Sequence, residues 1–257
     1  MHDLAARGFS AAADAYERSR PDYPAAAVAQ IVHRLDLRPG RTLLDIGAGT
    51  GKLTRLLTPS GARVLALEPL AAMRAQLAAT TPDAEPLDGT AEAIPLPDGS
   101  VDGAVCAQAF HWFDQERALA DIHRVLRPGA WLVLIWNVRD ESVPWVAAMG
   151  ELVAALQEKI PRHQDEAWRP AVDATPFFDL VETTTTHHAQ RLTPHGVLDR
   201  LASMSVVAAA EPAVRDRLLS DVDAILRTDP QTAGRDEIEL PYTTELHWLG
   251  RCDTAAG

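Results

Sequence analysis

Three glycines at alternate positions, Gly47, Gly49 and Gly51, follow an aspartate, Asp45, in the stretch TLLDIGAGTGKLTRLL over residues 42–57. A glycine turn closing an apolar run lets the backbone approach a ligand, since glycine accepts positive φ and carries no side chain to hold the ligand off. A phosphate loop requires GxxxxGK[ST]; here Leu53 stands where the hydroxyl residue belongs, and no glycine occupies the earlier position. The dinucleotide fingerprint GxGxxG places its third glycine one residue later than Gly51. What remains is an acid before the turn and a second acid, Glu68, closing the next apolar run, RVLALE. A carboxylate accepts two hydrogen bonds side by side, so Glu68 is suited to the vicinal hydroxyls of a ribose. Asp45 near the turn favours a cationic amino group and repels a pyrophosphate. Together these residues describe a nucleoside site.

Such a turn must be held by a strand and a helix. Short apolar runs alternate with helical patterns through the first half of the chain, which predicts a parallel sheet wrapped by helices. Strands are expected at 42–46, 63–68, 84–88, 101–107 and 130–137, and helices at 25–35, 51–57, 70–80 and 115–126. Asp114 is placed to cap the last of these, and the RPG turn at Arg127–Gly129 to end it. The second half predicts helices at 143–159 and 211–227 and two threonine-rich strands, 180–187 and 242–249, separated by a helical excursion. The expected fold class is α/β: a Rossmann-like, seven-stranded, mostly parallel sheet with a C-terminal antiparallel hairpin and a helical cap insertion. The division expected is a core with an N-terminal lid over 1–140, a helical insertion over 141–178 and sheet-completing strands over 179–257. A cap over 193–236 interrupts the last part, all within one continuous structural domain.

Composition narrows the partners. The chain has 257 residues, 47% of them hydrophobic and 23% charged, a balance that supports a packed core. A formal charge of -12 argues against general affinity for nucleic acid. No apolar stretch has membrane-spanning length and the N-terminus has no run resembling a signal peptide, so no membrane partner and a cytoplasmic location are expected. Cys106 and Cys252 cannot make a disulfide framework or a four-ligand zinc site, and His187, His188 and His195 lack ligand spacing with nearby acids; no metal is expected.

Beyond the glycine turn, the segments LALEP, DGTAEAIPLPDGSVDGAVCAQAFHWFD and VLRPGAWLVLIWN complete a pattern. With LLDIGAGTGKLT it resembles the class I S-adenosylmethionine-dependent methyltransferases, in particular their type 11 small-molecule group. The opening FSAAADAYERSRPDYP and the close YTTELHWLGR resemble a subgroup that includes trans-aconitate methyltransferase-like proteins. The resemblance implies S-adenosyl-L-methionine as cofactor, a small-molecule acceptor and a monomer or homodimer. It further implies that Gly47, Ala48, Gly49 and Gly51 pack against the methionine part and ribose, and that Asp45 orders the loop and the amino end. Glu68, with Pro69 beside it, matches the ribose acid. Thr90, Ala91 and Glu92 match the adenine-edge segment, where many relatives carry Asp at the position of Thr90. Gln108 matches a position lining the transfer site. The N-terminal segment would fold over the cofactor as a lid, which makes Tyr16, Arg20 and Tyr23 cofactor candidates, Arg20 being suited to a carboxylate.

Ligands of open α/β sheets bind beyond the carboxyl ends of the strands, so AQAFHWFD and WNVRD should face the acceptor. His111 is the candidate catalytic group, as a base or as a hydrogen-bond donor to a substrate oxygen. The plain alternative is that His111, Trp112 and Phe113 form only the corner entering a helix. Substrate candidates are His111, Trp112, Trp136, Asn137 and Arg139, and in the cap Leu201 and Met204 at helical spacing are expected to be core. Two other functions fit a Rossmann sheet: an NAD(P)-dependent oxidoreductase, which the GxGxG spacing disfavours, and a non-catalytic protein that only binds S-adenosylmethionine.

Overall fold

A computed structural model describes residues 20–156 and 168–253 of the chain. Seven strands form one sheet: β1 (Thr42–Ile46), β2 (Arg63–Leu67), β3 (Ala84–Leu87), β4 (Gly103–Ala107), β5 (Trp131–Arg139), β6 (Phe178–Leu192) and β7 (Ile238–Arg251). Their order across the sheet is β3-β2-β1-β4-β5-β7-β6. The first five are parallel to their neighbours, whereas β7 runs antiparallel to both β5 and β6. The helices are α1 (Ala25–Arg34), α2 (Thr54–Leu57), α3 (Ala71–Thr80), α4 (Gln115–Val125), α5 (Pro144–Ala154), α6 (Arg169–Ala174), α7 (Pro194–Ala202), α8 (Ser205–Ala208) and α9 (Pro212–Thr228).

The central strands are apolar on both faces because both faces are covered. Leu44, Leu134 and Trp136 pack on the side of α4, while Leu43, Val105, Val133 and Ile135 pack on the side of α1. Helix α4 shows why its sequence folds there. Asp114 accepts a hydrogen bond from the Arg117 amide at 3.4 Å, and Ala118, Leu119, Ile122 and Val125 form its buried stripe. A third cluster joins α5, α7, α8 and α9 to Ile238, Leu240 and Tyr242 of β7, so the cap is built on the last strand.

Asp102 ties three ends of this scaffold together. Its Oδ2 accepts from the Thr42 amide at 2.8 Å, and its Oδ1 accepts from Arg41 at 3.0 Å and from Arg127 of the RPG turn. Burial pushes its carboxyl up, but the Thr42 amide and the two guanidinium groups outweigh that and hold it below the usual carboxylate range.

Several elements differ from expectation for physical reasons. The helix expected from Gly51 begins only at Thr54, because Gly51 has φ +86°, which no right-handed helix contains. Strand β6 runs 15 residues instead of eight, since β7 pairs with it along almost all of its length. Helix α5 is described as far as Ala154; the expected extension to Lys159 reaches outside the described residues. Trp136 is a correction. Strand alternation turns it away from the cleft, and it stacks on Trp168 with ring centroids 5.1 Å apart, fully buried.

Candidate active site

The turn after β1 is fastened to β2 by its own backbone. The amides of Gly47 and Ala48 both donate to the Leu67 carbonyl, at 2.9 and 3.0 Å. Gly47 has φ +68°, and a Cβ there would meet the Cβ of Ala109 at 2.7 Å, so no larger residue fits. Gly51 is hemmed in similarly, with Leu77 Cγ 3.0 Å from where its Cβ would lie. Gly49 differs: nothing comes closer than Met73 Sδ at 4.0 Å, so the open side of the turn is at this residue.

Two acids stand behind the turn. Asp45 is buried at the end of β1; its Oδ2 accepts from Thr54 Oγ1 at 2.7 Å, and its buried Oδ1 has no hydrogen-bond partner. Burial raises its pKa to about 7, opposed by the Thr54 hydroxyl and assisted by the nearby charge of Glu68. Glu68 at the end of β2 accepts from the Gly49 amide through Oε2 at 3.0 Å and from the Leu70 amide through Oε1 at 2.9 Å. Burial raises its pKa as well, against those two amides and the charge of Arg74. A carboxylate offers about four lone-pair sites, so both oxygens keep acceptor capacity after these bonds.

Asp45, Gly47, Ala48 and Gly49 form one wall of a cavity of about 60 Å³ that opens to solvent. Arg20, Pro21 and Tyr23 of the segment before α1 contribute to the lining, as do Ala107 at the end of β4, Gln108 just after it, Asn137 on β5 and Arg200 on α7. Gln108 is held at φ +57°, an unfavourable conformation for a residue with a side chain; its amide donates to Ile135 O at 2.8 Å and its Nε2 to Asn137 O at 3.2 Å. Asn137 links three segments. Its Oδ1 accepts from Thr244 Oγ1 at 2.6 Å, its Nδ2 donates to Asp22 O at 3.3 Å, and its carbonyl receives Gln108.

The cavity thus gathers Arg20, Tyr23, Asp45, Gly47, Ala48, Gly49, Gln108 and Asn137 from the sequence candidates. Gly51, Glu68 and Pro69 stand behind the turn and do not line it. Thr90 is exposed, and Glu92 accepts from the Asp114 amide at 3.0 Å, which ties the loop after β3 to the start of α4. Ala91 is buried in the core beneath that loop. His111 and Trp112 share a 3₁₀ turn after β4, with their rings 4.8 Å apart, and are not in the wall of this cavity. Arg139 reaches under the cap instead, its Nη1 lying 3.6 Å from Met204 Sδ and its Nη2 4.0 Å from Glu141. Tyr16 lies outside the described residues.

Arg200 was not a candidate from the sequence, although a signal was there. With Val197 and Leu201 it occupies the buried stripe of α7, where an arginine among apolar residues needs a reason. Among the described residues no group of three or more histidine, cysteine, aspartate or glutamate side chains is placed to hold a metal, and no helix is long and apolar enough to cross a membrane.

A mostly parallel α/β sheet whose β1 ends in a glycine turn backed by an acid, with a second acid closing β2, sets these groups at the carboxyl edge of the strands, where open α/β sheets take their ligands. Residues 44–134 match the family model described as a methyltransferase domain. An uncharacterised methyltransferase of Mycobacterium tuberculosis strain H37Rv is 39% identical over 236 residues, spanning 92% of each chain. Another from Schizosaccharomyces pombe is 32% identical, covering 89% of this chain and 91% of its own. Among solved structures, a putative type II methyltransferase from Anaeromyxobacter dehalogenans superposes with a TM-score of 0.68 at 28% identity, over 90% of this chain and 97% of that one. The chain belongs to the class I S-adenosylmethionine-dependent methyltransferases and is a methyltransferase enzyme.

Proposed function

We propose that this chain binds S-adenosylmethionine in the cavity beside the glycine turn and transfers its methyl group to an oxygen, carbon or nitrogen atom of a small molecule. The observation that carries this reading is Asp45, a buried carboxylate in the cavity wall with one oxygen unpartnered. Such an oxygen calls for a cationic donor, and the ammonium of the cofactor's amino-acid end supplies one. Gly49 leaves open space where the ligand would approach the turn, and the ribose would extend past Gly49 to Glu68, which lies outside the cavity wall and has lone pairs to spare for two hydroxyls. The segment Thr90, Ala91 and Glu92 borders the adenine, and Arg20 and Tyr23 close the entrance.

When bound, the cofactor supplies an electrophilic methyl on a sulfonium, so the chain's residues must mainly position the acceptor and exclude water. Gln108, locked by two hydrogen bonds in an unfavourable conformation, fixes the floor where acceptor and cofactor would meet. His111 is the candidate proton acceptor. A His111→Ala chain that keeps native cofactor affinity and full turnover would remove that role.

Calorimetry with S-adenosylhomocysteine and, separately, NAD tests the cofactor, and labelled S-adenosylmethionine added to a metabolite extract tests transfer. We expect one molecule of S-adenosylhomocysteine bound per chain, tenfold or more weaker binding in Asp45→Asn, and label in a small product. Preference for NAD would sink the reading, and tight binding without any labelled product would leave a non-catalytic binder.

A further inference from the structure

The chain between β3 and β4, residues 88–102, has no helix or strand of its own, so its backbone groups must find partners elsewhere. Helix α4 supplies several. At its start the Asp114 amide donates to Glu92 Oε1 at 3.0 Å, and along its buried stripe Ala118, Leu119 and Ile122 share a cluster with Ala91 and Ile94. Further on, Asp121 Oδ2 accepts from the Ile94 amide at 2.6 Å. Arg124 completes the attachment. Its Nε donates to Asp121 Oδ1 at 2.7 Å, and its Nη2 to Asp121 Oδ2 at 3.1 Å and to the Ile94 carbonyl at 2.9 Å. Its Nη1 donates to the Leu96 carbonyl and to Asp98 Oδ1, both at 2.8 Å. A guanidinium carries five N–H donors, and here each meets an acceptor. The helix dipole favours a cation in this last turn of α4, but a lysine would serve the dipole as well, and its three donors cannot fill five places.

The other end of the loop is held too. Arg74 of α3 pairs through Nη2 with Asp88 at 2.9 Å and donates through Nη1 to the Glu68 carbonyl at 2.8 Å. A Cβ on Gly89 would meet Pro95 Cδ at 2.8 Å and Leu67 Cδ1 at 2.9 Å, so the loop closes tightly on itself and on β2. Between these fastenings lie the exposed Thr90 and a turn in which the Ala93 amide donates to the Thr90 carbonyl at 3.1 Å.

We propose that Arg124, with Asp121, is the positioning residue for the cofactor's adenine: it touches no part of the cofactor and fixes the loop whose residues 90–92 border the base. The inference rests on the methyl-transfer reading above and assigns base selectivity within it. Ribose and base are joined by one bond, so Glu68 and residues 90–92 must stand at a fixed spacing. Arg74 ties one end of the loop to Glu68, and Arg124 sets the other end against α4. Without that pin, binding would have to order the loop, and fixing the backbone of a single residue costs about tenfold in affinity.

The test uses the full chain and the variants Arg124→Met, Arg124→Lys and Asp121→Asn, each studied well below its Tm. Calorimetry compares S-adenosylhomocysteine with S-inosylhomocysteine, in which an oxygen replaces the adenine amino group. The unaltered chain should prefer the adenine compound tenfold or more. Arg124→Met should lose about tenfold or more for S-adenosylhomocysteine and less than about threefold for the inosyl analogue, so that the preference collapses. Arg124→Lys, which keeps the charge and guards against a variant that fails to fold, should lose the preference as well, and Asp121→Asn should lose it in part. Amide exchange gives a second readout: in Arg124→Met the Ile94 amide should exchange about tenfold faster or more while amides of β1 and β4 keep their rates. Equal loss for both ligands, or faster exchange throughout the sheet, would mark Arg124 as a general brace, and a preference retained in Arg124→Lys would reduce it to a helix-terminal charge; either overturns the proposal. Equal affinity of the unaltered chain for the two ligands also overturns it and leaves the methyl-transfer reading standing, whereas failure of both to bind would take that reading down with it.

Discussion

Asp45 is held in a state that its sequence neighbours do not explain and a ligand would. Burial lifts its pKa from 3.8 to about 7, so the folded chain prefers it protonated while the unfolded chain ionises it near 4. Its contribution to stability is therefore fully present below pH 4 and is lost as pH rises through about 7. A cationic amino group placed on Oδ1 reverses the preference, because an opposite charge favours the ionised form. Binding should then drive a proton off. At pH 6 a group of pKa about 7 is about nine-tenths protonated, and S-adenosylhomocysteine should release nearly one proton, against almost none at pH 8.5. Calorimetry in two buffers of different ionisation enthalpy reads this number directly. Asp45→Asn should abolish the difference between the two pH values; proton release unchanged in that variant would place the linkage elsewhere, with Glu68 the first alternative.

At the scale of elements, what could be read from the sequence was what local chemistry dictates. The parallel strands announced themselves because strands buried on both faces are continuous apolar runs, and β1, β2, β3, β4 and β5 begin and end within a few residues of expectation. Asp114 as a cap was equally legible, since capping is a contact between a side chain and amides two or three residues away. The reach of β6 was not. Its exposed threonines and histidines, such as Thr185 and His187, carry little apolar signal, and what keeps them extended is the register with β7 more than fifty residues on. The candidate site divides along the same line. Asp45, the glycines and Glu68 belong to two consecutive strand ends and were found from spacing. Trp136 was misplaced because its role depends on Trp168, which reaches it through the fold. Arg200 was overlooked because α7 joins the cavity wall only through the fold, which its own stretch of sequence does not record.

For the molecule as a unit, the decisive feature is that the last strand is not at an edge. β7 lies between β5 and β6, and the cap helices α7, α8 and α9 are strung along the chain between β6 and β7. It answers β5 from Trp131 to Arg139, places Trp248 and Leu246 under α1, and lends Ile238, Leu240 and Tyr242 to the cap cluster. Thr244 also anchors Asn137 in the cavity wall. Five of its buried apolar side chains, Leu240, Tyr242, Leu246, Trp248 and Leu249, each contribute about 2 kcal/mol by burial, and together match the net stability of about 5–15 kcal/mol typical of a folded protein. Their loss cannot be absorbed. A chain ending at Gly234 keeps residues 44–134 and every residue proposed to hold the cofactor, yet β5 and β6 lose their shared partner and expose unpaired edges. Such a chain should show no cooperative thermal transition by circular dichroism and no measurable binding of S-adenosylhomocysteine. If it bound with native affinity, the five parallel strands would be an autonomous unit and the late strand only a support for the cap. The expected failure would instead make the cofactor site a property of the completed sheet, because the turn after β1 is rigid only when β4 and β5 behind it are rigid, and β5 is fixed by a strand made after all the others.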